Sequence, residues 1–188
     1  MKKILSILAL SVLANVAYAA GGGDVHLDHM SPDATDNVSM QKGLRTFMDY
    51  CAGCHSLSYA RYNRVARDLD IPESIFMENI VFDPNAKFGD LMKFPMSLED
   101  GKQWFGAAPL DLTMVTRVRG VDWVYTYLRS FYADDSRPYG VNNAVFPDVG
   151  MPHVLLPLQG LCAQAPHAAE ENAVDPLTGN AISADACA

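Results

Sequence analysis

Cys51-Ala52-Gly53-Cys54-His55 is the stretch that decides the fold of this chain of 188 residues. Two cysteines three positions apart on a helical turn present both thiols to one side, where they can add to the two vinyl groups of a haem. The histidine that follows is then held beneath the iron as its proximal ligand. The motif therefore predicts one c-type haem, attached covalently through Cys51 and Cys54 and ligated by His55.

Two other kinds of site share the Cys-x-x-Cys spacing. A thioredoxin-like redox motif belongs to a βαβ unit, which the surrounding pattern lacks. A zinc site needs two more soft ligands at short spacing, and the remaining cysteines, Cys162 and Cys187, are distant and do not form a second Cys-x-x-Cys pair. Haem attachment is therefore favoured over both.

Hydrophobic periodicity around the motif predicts helices. Apolar residues at three- and four-residue steps predict a helix that runs into the motif, with Asn37 as its N-cap. The prolines and glycines of residues 56–95 predict short helices and loops. Ser97 and Asp111 are predicted to open two further helices, with a kink of the second at Gly120. No segment shows convincing strand alternation, so the predicted class is all-α with long loops around the haem.

The first residues predict export from the cytoplasm. Lys2 and Lys3 precede an apolar run at residues 4–16, and residues 17–19 have the small-x-small pattern of a cleavage site. The apolar run is shorter than the ~20 residues that a membrane span needs. We therefore expect residues 1–19 to be a signal peptide, with an uncleaved N-terminal anchor as the alternative.

Charge narrows the class of partner. The chain has a net charge of −8, and loss of the signal peptide leaves 12 basic and 22 acidic side chains, a net charge of −10. This balance argues against nucleic acid and favours a positively charged protein partner reached by electrostatic steering. A solvated acidic surface without a partner role is the alternative.

The mature chain divides into three predicted parts. Residues 20–37 are expected to form an extended arm, residues 38–160 the haem domain, and residues 161–188 a loop-like tail. Cys162 and Cys187 lie in that tail, and two leftover cysteines in an oxidising compartment usually pair. A disulfide between them is therefore predicted to pin the tail.

The sixth iron ligand decides between electron transfer and chemistry at an open iron. Met151 stands in residues 146–152, a loop stiffened by prolines, with Gly150 permitting close backbone approach. A thioether that reaches the iron needs such a fixed, non-helical presentation. The other methionines are more typical of flexible core fillers, and His153 is a weaker alternative ligand. Met151 is the predicted sixth ligand.

The match extends beyond the motif. The chain resembles cytochrome c1, the c-type haem subunit of complex III (the quinol–cytochrome c oxidoreductase), over roughly residues 36–160. The segments that carry the resemblance are residues 42–57, 61–64, 109–119 and 123–128.

The resemblance implies a class I cytochrome c fold on the periplasmic side of the bacterial inner membrane. It implies a non-catalytic electron-transfer subunit that assembles with cytochrome b and the Rieske iron–sulfur protein, takes electrons from the latter and passes them to a cytochrome c. Met151 falls where the family has its axial methionine. Arg119 matches the family arginine that pairs with a haem propionate, whereas Arg117, two positions away, points to another face.

The resemblance also implies segments that the chain lacks. Family members continue with a last helix, which packs at the positions of Gly43 and Phe47, and then with a membrane anchor. We expect a truncated chain in which an apolar stripe is left uncovered, at a cost of at least several kcal/mol. The alternatives are a free-standing soluble periplasmic c-type cytochrome, and a haem sensor or enzyme with an open sixth site.

Overall fold

The fold combines helices with two small sheets. The computed structural model describes residues 25–94 and 96–166. Within these ranges seven helices and four strands follow one another, so the all-α prediction is wrong. The strands have two to five residues, too few to show an alternating pattern; one pair joins residues 57–61 to residues 91–92, and the other is a local hairpin of residues 131–133 and 141–143. Hydrophobic periodicity alone therefore missed them.

The helices are α1 (Asn37–Tyr50), α2 (Tyr62–Asp68), α3 (Glu73–Asn79), α4 (Leu98–Phe105), α5 (Val115–Arg119), α6 (Val121–Arg129) and α7 (Leu156–Gln159). The strands are β1 (Leu57–Arg61), β2 (Leu91–Met92), β3 (Phe131–Ala133) and β4 (Val141–Asn143). Strand β1 pairs antiparallel with β2, and β3 pairs antiparallel with β4.

Helix α1 leads directly into the cysteine motif. Its N-cap is Asp36 rather than the predicted Asn37, because the Asp36 carboxylate accepts a hydrogen bond from the Ser39 amide at 3.0 Å. After Tyr50 the chain turns, and the His55 amide donates to the Cys51 carbonyl at 2.9 Å. The motif therefore follows the last turn of α1 without an intervening loop.

A first hydrophobic cluster supports that turn. Phe76 is fully buried at its centre and meets Tyr62 and Phe88 edge-on, with ring centroids 6.2 and 6.3 Å apart respectively. Ala52, inside the motif, is 3% exposed and belongs to the same cluster. The motif is thus anchored in a packed core. The buried members are Leu44, Met48, Ala52, Tyr62, Ala66, Phe76, Ile80 and Met92.

A second, separate cluster lies beneath Met151. Its buried members are Phe131, Val141 and Val149, and Tyr127 and Met151 pack against them. These residues come from α6, β3, β4 and the loop after β4. The two predicted iron ligands are therefore supported by different parts of the core.

The segment between the two clusters agrees only in part with the predictions. Ser97 caps α4 and Gly106 ends it with a φ of 77°, as the sequence indicated. The predicted kink at Gly120 is confirmed as a break, because its φ of 90° ends α5 before α6 begins. Asp111 does not cap a helix, since α5 begins at Val115.

Part of the predicted arm contacts α6. Residues 25–32 form neither helix nor strand, and they lie along α6. The Met30 amide donates to the Asp122 carboxylate at 2.8 Å, and Arg129 pairs with Asp28 at 2.8 Å.

Some predictions concern residues outside the described ranges. The predicted signal peptide at residues 1–19 lies outside the described residues, as does Cys187. Cys162 is disulfide-bonded, and its pairing with Cys187 stays a prediction. Gly43 is a position where the last helix of the family is expected to pack, and a Cβ added there would meet nothing within 4 Å. Among the described helices, none combines the length and apolar character needed to cross a membrane.

Candidate functional site

The two motif cysteines are free thiols at the end of α1. Both are half-buried, on either side of buried Ala52 and exposed Gly53. Burial, together with the neighbouring Cys54 charge, raises the pKa of Cys51, and burial raises the pKa of Cys54. Both therefore carry their protons at neutral pH, which keeps them as S–H groups until they add to a haem vinyl group.

One nitrogen of the His55 imidazole is hydrogen-bonded to the backbone. Its Nδ1 lies 2.7 Å from the carbonyl oxygen of Leu110. Because a carbonyl can only accept, Nδ1 carries the proton and donates it to Leu110. In the neutral ring Nε2 then presents a lone pair, which is the atom that a proximal histidine offers to iron.

The Leu110 carbonyl is held in place by a pairing between two chain segments. The Leu112 amide donates to the Ser56 carbonyl at 2.9 Å. Two residues after Ser56, the Ser58 amide donates to the Asp111 carboxylate at 2.7 Å. The chain after His55 thus runs beside the chain after Leu110, and this pairing fixes the acceptor of the His55 hydrogen bond.

Asp111 has a different role from the predicted helix cap. Its carboxylate accepts hydrogen bonds from the amides of Ser58 and Thr113. Partial burial acts to raise the pKa of Asp111, but hydrogen bonds from Thr113 and Ser58 outweigh it and lower the pKa from 3.8 to about 2. The ionised Asp111 carboxylate therefore holds the segment after Leu110 beside the segment after His55 at all but strongly acidic pH.

Met151 is half-buried, and its sulfur has a hydrogen-bond donor. The Tyr127 hydroxyl lies 3.5 Å from Met151 Sδ and donates to it. Burial raises the pKa of Tyr127 to about 12, so that the phenol keeps its proton at neutral pH. A Cβ on Gly150 would lie 2.9 Å from the Phe105 carbonyl oxygen, in agreement with the close backbone approach expected there.

A fully buried amide organises the loop before Met151. Asn143 is 0% exposed. Its Oδ1 accepts from the amides of Val145 and Phe146, each at 3.0 Å, and its Nδ2 donates to the Tyr127 carbonyl at 2.7 Å. Since an amide N–H can only donate, the position of Oδ1 is unambiguous. Asn143 therefore ties the loop to the helix that carries Tyr127.

Arg137 and Asn142 hold the next part of the same loop. Arg137 Nη2 donates to the carbonyls of Asp148 at 2.7 Å and Val149 at 3.3 Å, and Nη1 pairs with the Asp148 carboxylate at 3.0 Å. Asn142 Oδ1 accepts from the Asp148 amide at 2.9 Å. Asp148 has a positive φ of 61°, and these contacts maintain that uncommon conformation.

Three aromatic residues four positions apart form a row that begins on α6 and ends at Phe131 in β3. The rings of Trp123 and Tyr127 stack with centroids 5.2 Å apart, and Tyr127 meets Phe131 edge-on at 5.4 Å. The Arg119 guanidinium lies 5.0 Å from the centre of the Trp123 ring. Arg119 and Met151 thus contact the same aromatic row, although Arg119 is exposed.

His153, the alternative ligand, is occupied elsewhere. Its ring stacks on Phe131 with centroids 4.7 Å apart, and Nε2 lies 3.0 Å from the Gly160 carbonyl oxygen. Burial lowers the pKa of His153, so the ring is neutral and donates through Nε2. Nε2 therefore cannot also bind a metal ion, whereas Nδ1 keeps the lone pair of the neutral ring.

The segment of residues 104–118 contacts both the motif and the Met151 loop. Its Leu110 carbonyl binds His55, and its Phe105 carbonyl lies against Gly150. The segment also exposes large apolar side chains to solvent, which a folded chain buries where it can. They are Trp104, Leu110, Met114 and Val118, which are 57%, 58%, 47% and 76% exposed respectively.

The residues present fit a haem. Two thiols, an imidazole with a free Nε2 and a hydrogen-bonded thioether make up the donor set of a His/Met c-type haem. Within residues 25–94 and 96–166, no three His, Cys, Asp or Glu side chains gather into a group that could hold a metal ion by themselves.

Sequence reasoning missed the residues that support the site. Tyr127 lies within the segment that carried the family resemblance, but it was not singled out. Asn142, Asn143 and Arg137 gave no signal, because polar residues are usually exposed and their burial follows from tertiary contacts.

Comparisons with known proteins support one covalently bound c-type haem. Cytochrome c1 of Allochromatium vinosum is 53% identical over 160 residues, which cover 85% of this chain and 65% of that protein. The ammonia monooxygenase gamma subunit of Nitrosomonas europaea is 37% identical over 182 residues, 97% of this chain and 73% of that protein. A mitochondrial cytochrome c1 of Arabidopsis thaliana is 27% identical over 146 residues, 64% of this chain and 47% of that protein.

The chain thus spans just under two thirds of the length of the Allochromatium protein. No protein-family model matches the chain.

Proposed function

The chain belongs to the cytochrome c1 family, with one covalently bound haem c, and we propose that it transfers single electrons through that haem, ligated by His55 and Met151. The observation that carries this proposal is the hydrogen bond from His55 Nδ1 to the Leu110 carbonyl. It leaves Nε2 as the ligating atom and is itself held by the clamp at Asp111.

Each residue of the site has a distinct part in this proposal. When bound, the haem supplies a one-electron couple between ferrous and ferric iron. Cys51 and Cys54 hold the macrocycle covalently, His55 supplies the proximal nitrogen and Met151 the distal sulfur. Arg119 supplies a positive charge for a haem propionate, a role supported by its contact with Trp123, whose ring stacks on Tyr127.

Membership in the family supports a place in complex III. We propose that the chain accepts electrons from a Rieske iron–sulfur protein and passes them to a cytochrome c, in a complex with cytochrome b. The haem domain then faces the periplasm at the bacterial inner membrane. The net charge of −8 supports docking of a positively charged cytochrome, with an on-rate that falls as salt rises.

Replacing Met151 tests the sixth ligand. Met151→Leu is expected to retain covalent haem, to lose the methionine-to-iron charge-transfer band of the ferric protein, to lower the midpoint potential and to let the ferrous protein bind carbon monoxide. Met30→Leu, at an exposed methionine of the arm, is the matched control and should change none of these. An unchanged spectrum and potential in Met151→Leu would rule out Met151 as the sixth ligand.

A second candidate function uses the same haem in another complex. The Nitrosomonas relative, named as a subunit of ammonia monooxygenase, aligns with 97% of the chain. Purification of the tagged chain from its native membranes separates the possibilities. Co-purified cytochrome b and Rieske protein support complex III, monooxygenase subunits support the second function, and neither supports a free-standing cytochrome.

A further inference from the structure

We infer that Tyr127 is a positioning residue for the Met151 sulfur, and that its hydroxyl raises the midpoint potential of the haem by donating a hydrogen bond to that sulfur. The inference rests on the proposed ligation by Met151. The distance from the hydroxyl oxygen to Sδ is 3.5 Å, within the reach of a hydrogen bond to an atom as large as sulfur.

The hydroxyl is fixed in place from several sides. The Tyr127 ring stacks on Trp123 on one side, with an interplanar angle of 7°, and meets the buried Phe131 edge-on on another. The backbone of the same residue is held by the amide of Asn143, which donates to the Tyr127 carbonyl at 2.7 Å. A side chain restrained at both its ring and its backbone aims its hydroxyl with little rotational freedom.

A thioether sulfur can serve both partners. It has two lone pairs, of which one can bind iron while the other accepts the phenolic proton. Because the hydrogen bond draws electron density from the sulfur, it makes the thioether a weaker donor to the metal. Ferric iron depends on ligand donation more than ferrous iron does, so a weaker donor favours the ferrous state and raises the potential.

The chain offers a matched pair of substitutions. Tyr127→Phe removes only the hydroxyl that contacts the sulfur. Tyr125→Phe removes a hydroxyl from the same helix that instead accepts from Arg129 at 3.2 Å. Both variants, together with Tyr127→Phe in the Met151→Leu background, are prepared as haem-loaded protein. The readouts are the midpoint potential, the ferric charge-transfer band and carbon monoxide binding.

Tyr127→Phe is expected to favour the ferric state three- to tenfold, a fall in potential of roughly 30–60 mV for a one-electron couple. The charge-transfer band should shift but persist, and Tyr125→Phe should leave the potential unchanged. In the Met151→Leu background, Tyr127→Phe should have no further effect, because the hydroxyl acts only through the sulfur.

Three results would overturn the inference: no shift in Tyr127→Phe, an equal shift in Tyr125→Phe, or a shift that persists in the Met151→Leu background. Failure of the proposed ligation is read separately, from Met151→Leu alone. If that variant loses the band while Tyr127→Phe leaves the potential unchanged, the proposed ligand stands and the role of Tyr127 does not.

Discussion

Replacing Asn143 with alanine tests whether a buried scaffold holds the loop that presents Met151. The substitution removes the acceptor of two backbone amides, at Val145 and Phe146, and the donor to the Tyr127 carbonyl. All of these contacts surround a side chain that is 0% exposed. The variant therefore leaves the two loop amides without an acceptor, whereas the Tyr127 carbonyl keeps hydrogen bonds from the amide and the hydroxyl of Ser130, both at 3.4 Å.

The magnitude follows from those two amides. A buried donor or acceptor left without a partner costs about 1–3 kcal/mol. Partial access of water to the loop reduces the sum, so we expect Asn143→Ala to lower the free energy of unfolding by about 2–4 kcal/mol, above the effect of most point mutations. The loop should loosen first, because it carries both orphaned amides.

Urea unfolding of the haem-attached protein, followed by far-UV circular dichroism, measures the loss. Carbon monoxide binding by the reduced protein reports release of Met151 and should be faster in the variant. Asn79→Ala is the matched control, since the Asn79 side chain is exposed and donates only within its own helix, to the Ile75 carbonyl. A loss below about 1 kcal/mol in Asn143→Ala, or an equal loss in the control, would refute the scaffold.

Three further predictions test other parts of the site. Gly150→Ala forces a Cβ to within 2.9 Å of the Phe105 carbonyl oxygen and should cost about 1–3 kcal/mol in thermal unfolding; Gly89→Ala, with open space, should be tolerated, and equal costs would contradict the close approach. Arg137→Met removes the donors to the loop carbonyls and should increase carbon monoxide binding by the reduced protein; an unaltered rate would show that the loop does not need this clamp. The pKa of Asp111 is about 2 in the folded chain and 3.8 for a free carboxyl. The stabilising effect of the carboxylate is therefore complete above pH ~4 and is lost as the pH falls towards 2. The stabilities of wild type and Asp111→Ala should converge over that pH range, and a constant difference would exclude a role for the ionised carboxylate.

Some features of the site could be predicted because they depend on short stretches of chain. The spacing of Cys51, Cys54 and His55 is a local property, and the family comparison supports the covalent haem that it predicts. The break at Gly120 and the crowded backbone at Gly150 were also expected, because glycine is the residue that positive φ angles and close approaches require. The assignments of Met151 and Arg119 as partners of the haem stay predictions.

By itself, then, the sequence determined the attachment motif, the helix before it and the loop that carries Met151, since each follows from residues close together in the chain. Only the tertiary structure decided what supports them. The strands were missed because they are too short to show an alternating pattern, and the Leu110 carbonyl reaches His55 across 55 positions. The burial of Asn143 and the hydrogen bond from Tyr127 to Met151 likewise depend on packing between α6 and the loop after β4. A pattern of residue types does not report such contacts, because the energy of a polar group depends on which partner the folded chain brings to it.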